Sequence, residues 1–352
     1  MRAGLEDRDD GDDRGAHAAS GAPEGDACGA QWRVSSGSAA VLGLRPLAMD
    51  AAPTTAYLMV GERCRRNCAF CAQARESHAP VEALSRVTWP VFDAHHVAQA
   101  VARAYSKGQI ARACFQVTAR DGALETVEEA VGALAAETTA PICVSAVPRN
   151  LGDVADLLKL GAERVTMALD AATPELYRRV KGGSWERTWE LLLTSAARYP
   201  GRIGTHLIVG LGEAEADMAR LMQRLADARI TIGLFAFTPV PGTAMAEVEP
   251  PALECYRRVQ AARWLMVQGR VRAEGFAFDG DGRLRSYGLD ECALRAALEG
   301  GEAFRTAGCP GCNRPYYNER PGGVMYNYAR PLTAAEAERE VGLLVASLGG
   351  RA

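Results

Sequence analysis

The chain has 352 residues, a formal charge of −3, ten cysteines, and 48% hydrophobic against 24% charged residues. That is ordinary globular composition, with room for two domains or for one large α/β barrel carrying an appendage. The near-neutral balance argues against nucleic acid held on a basic face, the want of an apolar run of about 18 residues argues against a membrane span, and no secretory leader opens the chain, so a cytoplasmic protein is expected, with thiols free for metal rather than disulfides.

Residues 1–32 stand apart. Met1–Asp26 holds eight acidic residues against three arginines, and few large apolar side chains, which predicts a disordered acidic tail. From Thr54 onward, β-rich runs alternate with helix-period stretches. Eight strands are predicted at Thr55–Val60, Ala113–Thr118, Ile142–Val147, Arg164–Leu169, Ile203–Val209, Thr231–Thr238, Val271–Phe278 and Arg283–Tyr287. Val97, Val101 and Tyr105 repeat every four residues in one intervening helix, and Met218, Leu221, Met222 and Leu225 form an apolar stripe in another. Strand–helix pairs iterated this often predict an α/β fold, a TIM-type (β/α) barrel of eight units over residues 33–288. Beyond lies a Cys-containing extension, 289–352, whose last helix starts at Thr333 with Glu336 completing a capping box.

The strongest chemical signal is Cys64-Arg65-Arg66-Asn67-Cys68-Ala69-Phe70-Cys71, directly after the first strand, in the loop where barrel enzymes place their chemistry. Three thiolates at this spacing can take three corners of an iron–sulfur cubane and leave the fourth iron open to a small molecule. A zinc knuckle would want a fourth Cys or His close by, and the nearest candidate, His78, follows a different segment.

At these residues the chain resembles the radical S-adenosylmethionine (SAM) superfamily, whose motif is CxxxCxxC with an aromatic residue before the last Cys, here Phe70. The resemblance implies a [4Fe–4S] cluster whose open iron binds SAM and yields a 5′-deoxyadenosyl radical. From Thr54 to Thr243 the chain looks like the biotin-synthase branch: Ala72-Gln73, Leu169-Asp170, Ile208-Val209-Gly210-Leu211-Gly212-Glu213 and Pro239-Val240-Pro241-Gly242-Thr243 all match. By position, the resemblance puts Arg187 on the SAM carboxylate and Asp170 near the SAM–substrate contact. Ile208 and Glu213 fall in the turn that supports the adenine side. Arg187 can equally be a helix-surface arginine, and Asp170 the N-cap of the helix that Thr173-Pro174-Glu175 opens.

Biotin synthase holds an auxiliary cluster with cysteines inside the barrel. Cys114 and Cys143 occupy two of those positions, but the third is Gly204, so both are read as small core residues. The replacement is sought downstream: Cys309-Pro310-Gly311-Cys312, with Cys292 as a further ligand, is expected to hold a second [4Fe–4S] cluster. Cys292 can instead be a buried position in the helix Asp290–Leu298. Cys28 and Cys255 are read as incidental, and Ser286 as a speculative fourth ligand. His206 faces either the core or the cavity. Together with Leu84-Ser85-Arg86-Val87-Thr88-Trp89-Pro90 and the Gly308–Gly323 stretch, this resembles the two-component, biotin-synthase-like lipoyl synthases. That resemblance implies sulfur insertion into an octanoyl chain on a lipoyl-domain protein or glycine-cleavage H-protein. It further implies a paralogous radical SAM partner and an electron donor such as ferredoxin or flavodoxin. Tyr316, Tyr317 and Arg320 would position the peptide or seal the site, or else be ordinary packing of the tail. The alternative is another biotin-synthase-like enzyme: a biotin synthase, a mutase or a maturase.

Overall fold

A computed structural model describes residues 30–319 and 322–349. The expectations for the acidic tail up to residue 29, for Cys28 and for Arg320 lie outside the described residues. The described part opens with β1 (Gln31–Val34) and α1 (Ser36–Val41), which Ser35 caps by accepting the Ser38 N–H. Next comes β2 (Thr55–Val60), six consecutive buried residues, as a strand covered on both faces requires. The short β3 (Ala83–Leu84), β4 (Val87–Thr88) and β5 (Val91–Asp93) lead into α2 (Ala94–Ser106). Strand and helix then alternate through β6 (Arg112–Val117), α3 (Ala123–Glu137), β7 (Ile142–Ser145), α4 (Leu151–Lys159) and β8 (Ala162–Thr166). They continue through α5 (Pro174–Val180), α6 (Trp185–Arg198), β9 (Ile203–Val209), α7 (Glu215–Asp227), β10 (Thr231–Ala236) and α8 (Leu253–Val267). The remainder holds β11 (Ala277–Phe278), β12 (Leu284–Ser286), α9 (Glu291–Leu298) and α10 (Ala334–Leu348).

Eight strands form one sheet in the order β10-β9-β8-β7-β6-β2-β1-β5. The six from β2 to β10 in that row are parallel and are separated by helices, while β1 pairs antiparallel with both β2 and β5. The fold is therefore the expected α/β, TIM-type arrangement, but with six parallel units rather than eight and no closure among the described residues. The two last predicted strands contract to β11 and β12, a separate antiparallel pair. Gly280 and Gly282 between them favour a tight reversal over a helical crossover. The tail also ends earlier than residue 32, because Gln31 and Trp32 belong to β1 and Trp32 is buried edge-on against Phe115.

The predicted stripes are buried: Val97 and Val101 on α2, and Met218, Leu221, Met222 and Leu225 on α7. Each such side chain contributes about 1.5–3 kcal/mol. The C-terminal extension is fastened to the barrel at Arg257 of α8, which is fully buried. Its guanidinium donates to Glu340 of α10 (2.8 Å), to Gln260, and to the carbonyls of Met325 and Tyr326. Thr333 and Glu336 cap α10 reciprocally, as the sequence predicts. No helix among the described residues is long and apolar enough to cross a membrane.

Candidate active site

The loop after β2 carries Cys64, Cys68 and Cys71, all half-buried. A run of this length without strand or helix has its carbonyls free, and the Arg63 guanidinium takes four of them, from Ala72, Ala74, Ser77 and Ala79. Neighbouring segments fix the loop from outside: Ala69 N–H donates to Val180 (2.7 Å), Arg65 N–H to Ala119, and His78 N–H to Gly242 (2.8 Å). Gln73 donates its amide to Val81 and Ala83. Burial pushes the Cys68 thiol up to about 11, against the nearby Lys181 cation, and the Cys71 thiol up to about 12. Binding of iron at these sulfurs must therefore displace protons. Three soft donors, each mounted separately on a braced loop, fit three irons of one cluster, and no fourth protein ligand stands in the motif.

Beside Cys71 lies a cavity of about 160 Å³, walled by Phe70, Gln116, Asp170, His206, Ile208, Phe235 and Tyr317 among others. Because its lining comes from the ends of β6, β9 and β10 as well as from the cluster loop, the sheet curves round it. Asp170 is in the left-handed region at φ +65 and forms an ion pair with Lys181 Nζ at 2.6 Å, both side chains being buried. Lys181 also donates to the Ala168 carbonyl. Asp170 is not a helix cap; Thr173 performs that role for α5. A non-glycine residue in this backbone region is costly, and here its N–H and C=O are held by His206 and Ile208 of the neighbouring strand. Burial lowers the His206 imidazole to about 4, helped by the Arg314 cation, so the ring facing the cavity is neutral.

Two residues expected at the cofactor do not line this cavity. Glu213 spends both carboxylate oxygens on the N–H groups of Gly210 and Leu211, so it shapes the turn behind Ile208 and does not reach into the cavity. Arg187 donates to the Arg149 carbonyl and lines a separate cavity of about 340 Å³ with Arg66 and Arg149. That cavity shares no lining residue with the one at Asp170.

The second cysteine group differs from expectation in its members. Cys309 and Cys312 lie in one turn, with Cys312 N–H donating to the Cys309 carbonyl. Cys309 Sγ is 3.2 Å from Cys143 Sγ, and Cys312 Sγ is 3.2 Å from the Tyr57 hydroxyl. Cys143 is the register partner of Cys114 on adjacent strands, and Cys114 Sγ accepts from the Gln116 amide at 3.2 Å. Cys114 and Cys143 are thus not plain core residues. Cys292 is exposed on α9, away from any of these contacts, and Ser286 caps the Gly288 N–H in the β11–β12 sheet. Gly204 offers no third barrel thiol, and a Cβ there would meet the Thr166 hydroxyl at 2.9 Å, so that side chain would have to shift. Contact with Cys114 raises the Cys143 thiol, and contact with Cys143 raises that of Cys309.

Sequence reasoning passed over Lys181, Arg314 and Tyr57. The Arg314 guanidinium lies 4.2 Å over the Phe235 ring and donates to Cys312 Sγ and to the carbonyls of Ala307 and Leu234. Tyr317 borders three cavities at once: the one at Cys71, the one at Cys309 and Cys312, and an outer one of about 530 Å³.

A model of the radical SAM superfamily matches residues 58–225. The chain is 28% identical over 217 residues to the biotin synthase of Halorhodospira halophila, covering 59% of this chain and 64% of that protein. It is 26% identical over 212 residues to the lipoyl synthase of Citrifermentans bemidjiense, covering 57% and 69%. The match therefore spans a little under two thirds of the length of the curated biotin synthases. Among solved structures, the FeFe-hydrogenase maturase HydG from Carboxydothermus hydrogenoformans is similar at TM-score 0.48 and 19% identity, over 61% of this chain and 52% of that one.

Proposed function

We propose that this chain, whose residues 58–225 match the radical SAM superfamily and which is similar to biotin and lipoyl synthases, is a lipoyl-synthase-like sulfur transferase acting on a protein-bound octanoyl chain. The observation that carries the reading is the pairing of two cysteine groups on adjoining cavities. The cavity at Cys71 and the one at Cys309 and Cys312 share Gln116, His206, Phe235 and Tyr317 as walls. A saturated carbon has no acidic proton, so acid–base groups cannot activate it. When bound, a [4Fe–4S] cluster with SAM supplies the hydrogen-abstracting radical, and a second cluster supplies sulfide.

This chain's own residues do the holding and the shielding. Cys64, Cys68 and Cys71 grip the first cluster, and Cys309 and Cys312 belong to the second. Arg187, Arg66 and Arg149 offer guanidinium groups to a carboxylate, which a planar fork binds through both oxygens. The ion-paired Asp170 is poised to accept hydroxyl hydrogen bonds on the cavity wall. Phe70, Ile208, Phe235 and Tyr317 make that wall apolar, which excludes water from a reactive carbon centre. The protein-bound substrate, an H-protein or lipoyl domain, the paralogous partner, and a ferredoxin or flavodoxin as reductant complete the proposal.

The test is anaerobic reconstitution, then incubation with SAM, dithionite and an octanoylated lipoyl-domain peptide. The expected result is a peptide mass gain from thiolation. SAM cleavage without thiolated peptide would remove the lipoyl assignment in favour of another biotin-synthase-like activity. Biotin synthase itself is disfavoured because Gly204, at the position of the third barrel cysteine, offers no thiolate.

A further inference from the structure

Four cysteines from three distant parts of the sequence meet on the inner side of the sheet. Cys114 and Cys143 stand side by side on β6 and β7, and Cys309 reaches Cys143 at 3.2 Å from a residue 166 positions later. Cys312 closes the group from the same turn, against Tyr57 and beside Cys114 in one small cavity. A single thiol buried in a core is common and behaves as a small apolar group. Four thiols in one place, surrounded by cations, are not what apolar packing produces.

The cations are the second observation. Arg112 is buried, bonded to the Pro310 carbonyl and paired with Glu163. Arg164 is buried as well and Arg314 is enclosed at the cysteines, yet neither has an ion-pair partner among the described residues. A guanidinium taken out of water without a counter-charge is expensive. An iron–sulfur cluster with four thiolates is anionic overall and would supply that counter-charge where these two arginines stand.

We propose that Cys114, Cys143, Cys309 and Cys312 are the complete thiolate set of a second iron–sulfur cluster, a set that joins two barrel strands to the C-terminal turn and leaves Cys292 out. The inference rests on the two-cluster reading for its role in sulfur transfer but not for its ligands. Among the described residues no three His, Cys, Asp or Glu side chains are placed to hold a single metal ion in common. A cubane does not ask for that, since each of its irons takes its own sulfur. Nor is a disulfide formed: 3.2 Å is far beyond an S–S bond of about 2.05 Å. Seating the cluster needs Cys143 and Cys309 to swing apart into the adjoining cavity, which Cys309 already lines.

The experiment uses the full chain with Cys64, Cys68 and Cys71 all changed to Ala, so that only the second site remains. After anaerobic reconstitution, roughly four irons and four sulfides per chain are expected, with a cluster EPR signal on reduction. On that background, Cys114→Ser and Cys143→Ser, made separately, should each lower iron severalfold or change the EPR signal, and Cys292→Ser should change neither. Retained far-UV circular dichroism excludes unfolding as the cause. Full iron with an unaltered signal in both barrel variants, loss in Cys292→Ser, or zinc bound in place of iron and sulfide would overturn the proposal. Intact second-site iron in this chain, with no peptide thiolation by the parent chain, would sink the lipoyl reading and leave this one standing; thiolation by the parent chain, with unaltered iron in the barrel variants, would do the reverse.

Discussion

Gly242→Ala should loosen the cluster loop, and its cost can be set against a matched control. Gly242 sits at φ +84, and a Cβ on it would stand 2.5 Å from the Ala79 nitrogen and 2.7 Å from the His78 carbonyl carbon. Gly201, in the turn before β9, has a similar φ of +75 with nothing within 4 Å of its Cβ position. Gly201→Ala therefore incurs only the left-handed penalty of about 1–2 kcal/mol. Gly242→Ala incurs that and an overlap with backbone, which cannot rotate aside as a side chain can, at about 1–3 kcal/mol more. Relief means moving residues 78–79 away, which also stretches the bonds that the Gly242 carbonyl accepts from His78 N–H (2.8 Å) and Ser77 Oγ (3.2 Å). The expected totals are about 2–5 kcal/mol for Gly242→Ala against about 1–2 kcal/mol for Gly201→Ala. Urea titration measures both through the midpoint at unchanged slope, and reconstituted iron should fall in Gly242→Ala alone. Equal costs in the two variants, or full iron in Gly242→Ala, would mean that the 239–243 turn does not brace Cys64–Cys71.

Arg257→Met leaves Glu340 buried without its partner and should cost about 3–5 kcal/mol; limited proteolysis should then cut first in the C-terminal extension, while Arg257→Met with Glu340→Leu recovers part of the loss. His206 is neutral in the fold, near 4 against an ordinary 6.5, so the unfolded chain takes up the proton first as pH falls. Its contribution lowers stability progressively from about pH 6.5 down to about pH 4, by up to about 3 kcal/mol, and levels off below; His206→Gln should flatten that stretch of the stability–pH curve. Tyr317 buries its hydroxyl with no hydrogen-bond partner among the described residues, so Tyr317→Phe should raise the denaturation midpoint by the equivalent of about 1 kcal/mol; a loss of stability would mean that the hydroxyl has a partner.

Much of the fold was legible because parallel strands are apolar throughout and helices carry their own period. Thr55–Val60 and Ile203–Val209 match their strands residue for residue. What misled was the same rule applied past its domain: Val271–Phe278 and Arg283–Tyr287 have strand composition, yet the chain between them reverses at Gly280–Gly282 and pairs them with each other. The antiparallel edge made by β1 and β5 carried too little signal, being four and three residues long. At the site, Cys64, Cys68 and Cys71 could be read because a single loop carries them all. Lys181 could not: its partner Asp170 lies eleven positions earlier, at the opposite end of α5, and neither residue type nor spacing announces the pair.

The second cysteine group shows where position-by-position reasoning breaks. Gly204 removes one thiolate of the biotin-synthase set, and a Cβ there would crowd the Thr166 hydroxyl at 2.9 Å. Rejecting Cys114 and Cys143 with it assumed that a barrel site must be completed by barrel strands. In the set proposed above the C-terminal turn completes it, held in place by Asn313, which ties that turn to the entrance of β2. Its side chain accepts from Thr54 N–H and donates to the Ala52 carbonyl, while the Tyr316 hydroxyl accepts from Asp50 and Ala51. Those bonds span more than 250 residues of sequence, a separation at which no periodicity survives. The informative residue is therefore Asn313 rather than any cysteine: Asn313→Ala should release Cys309 and Cys312 from Cys143 without touching a thiol. Iron held by the chain lacking Cys64, Cys68 and Cys71 should then fall while iron in the first loop of the parent chain stays, and undiminished iron at the second site would show that Cys309 and Cys312 find it without this tether.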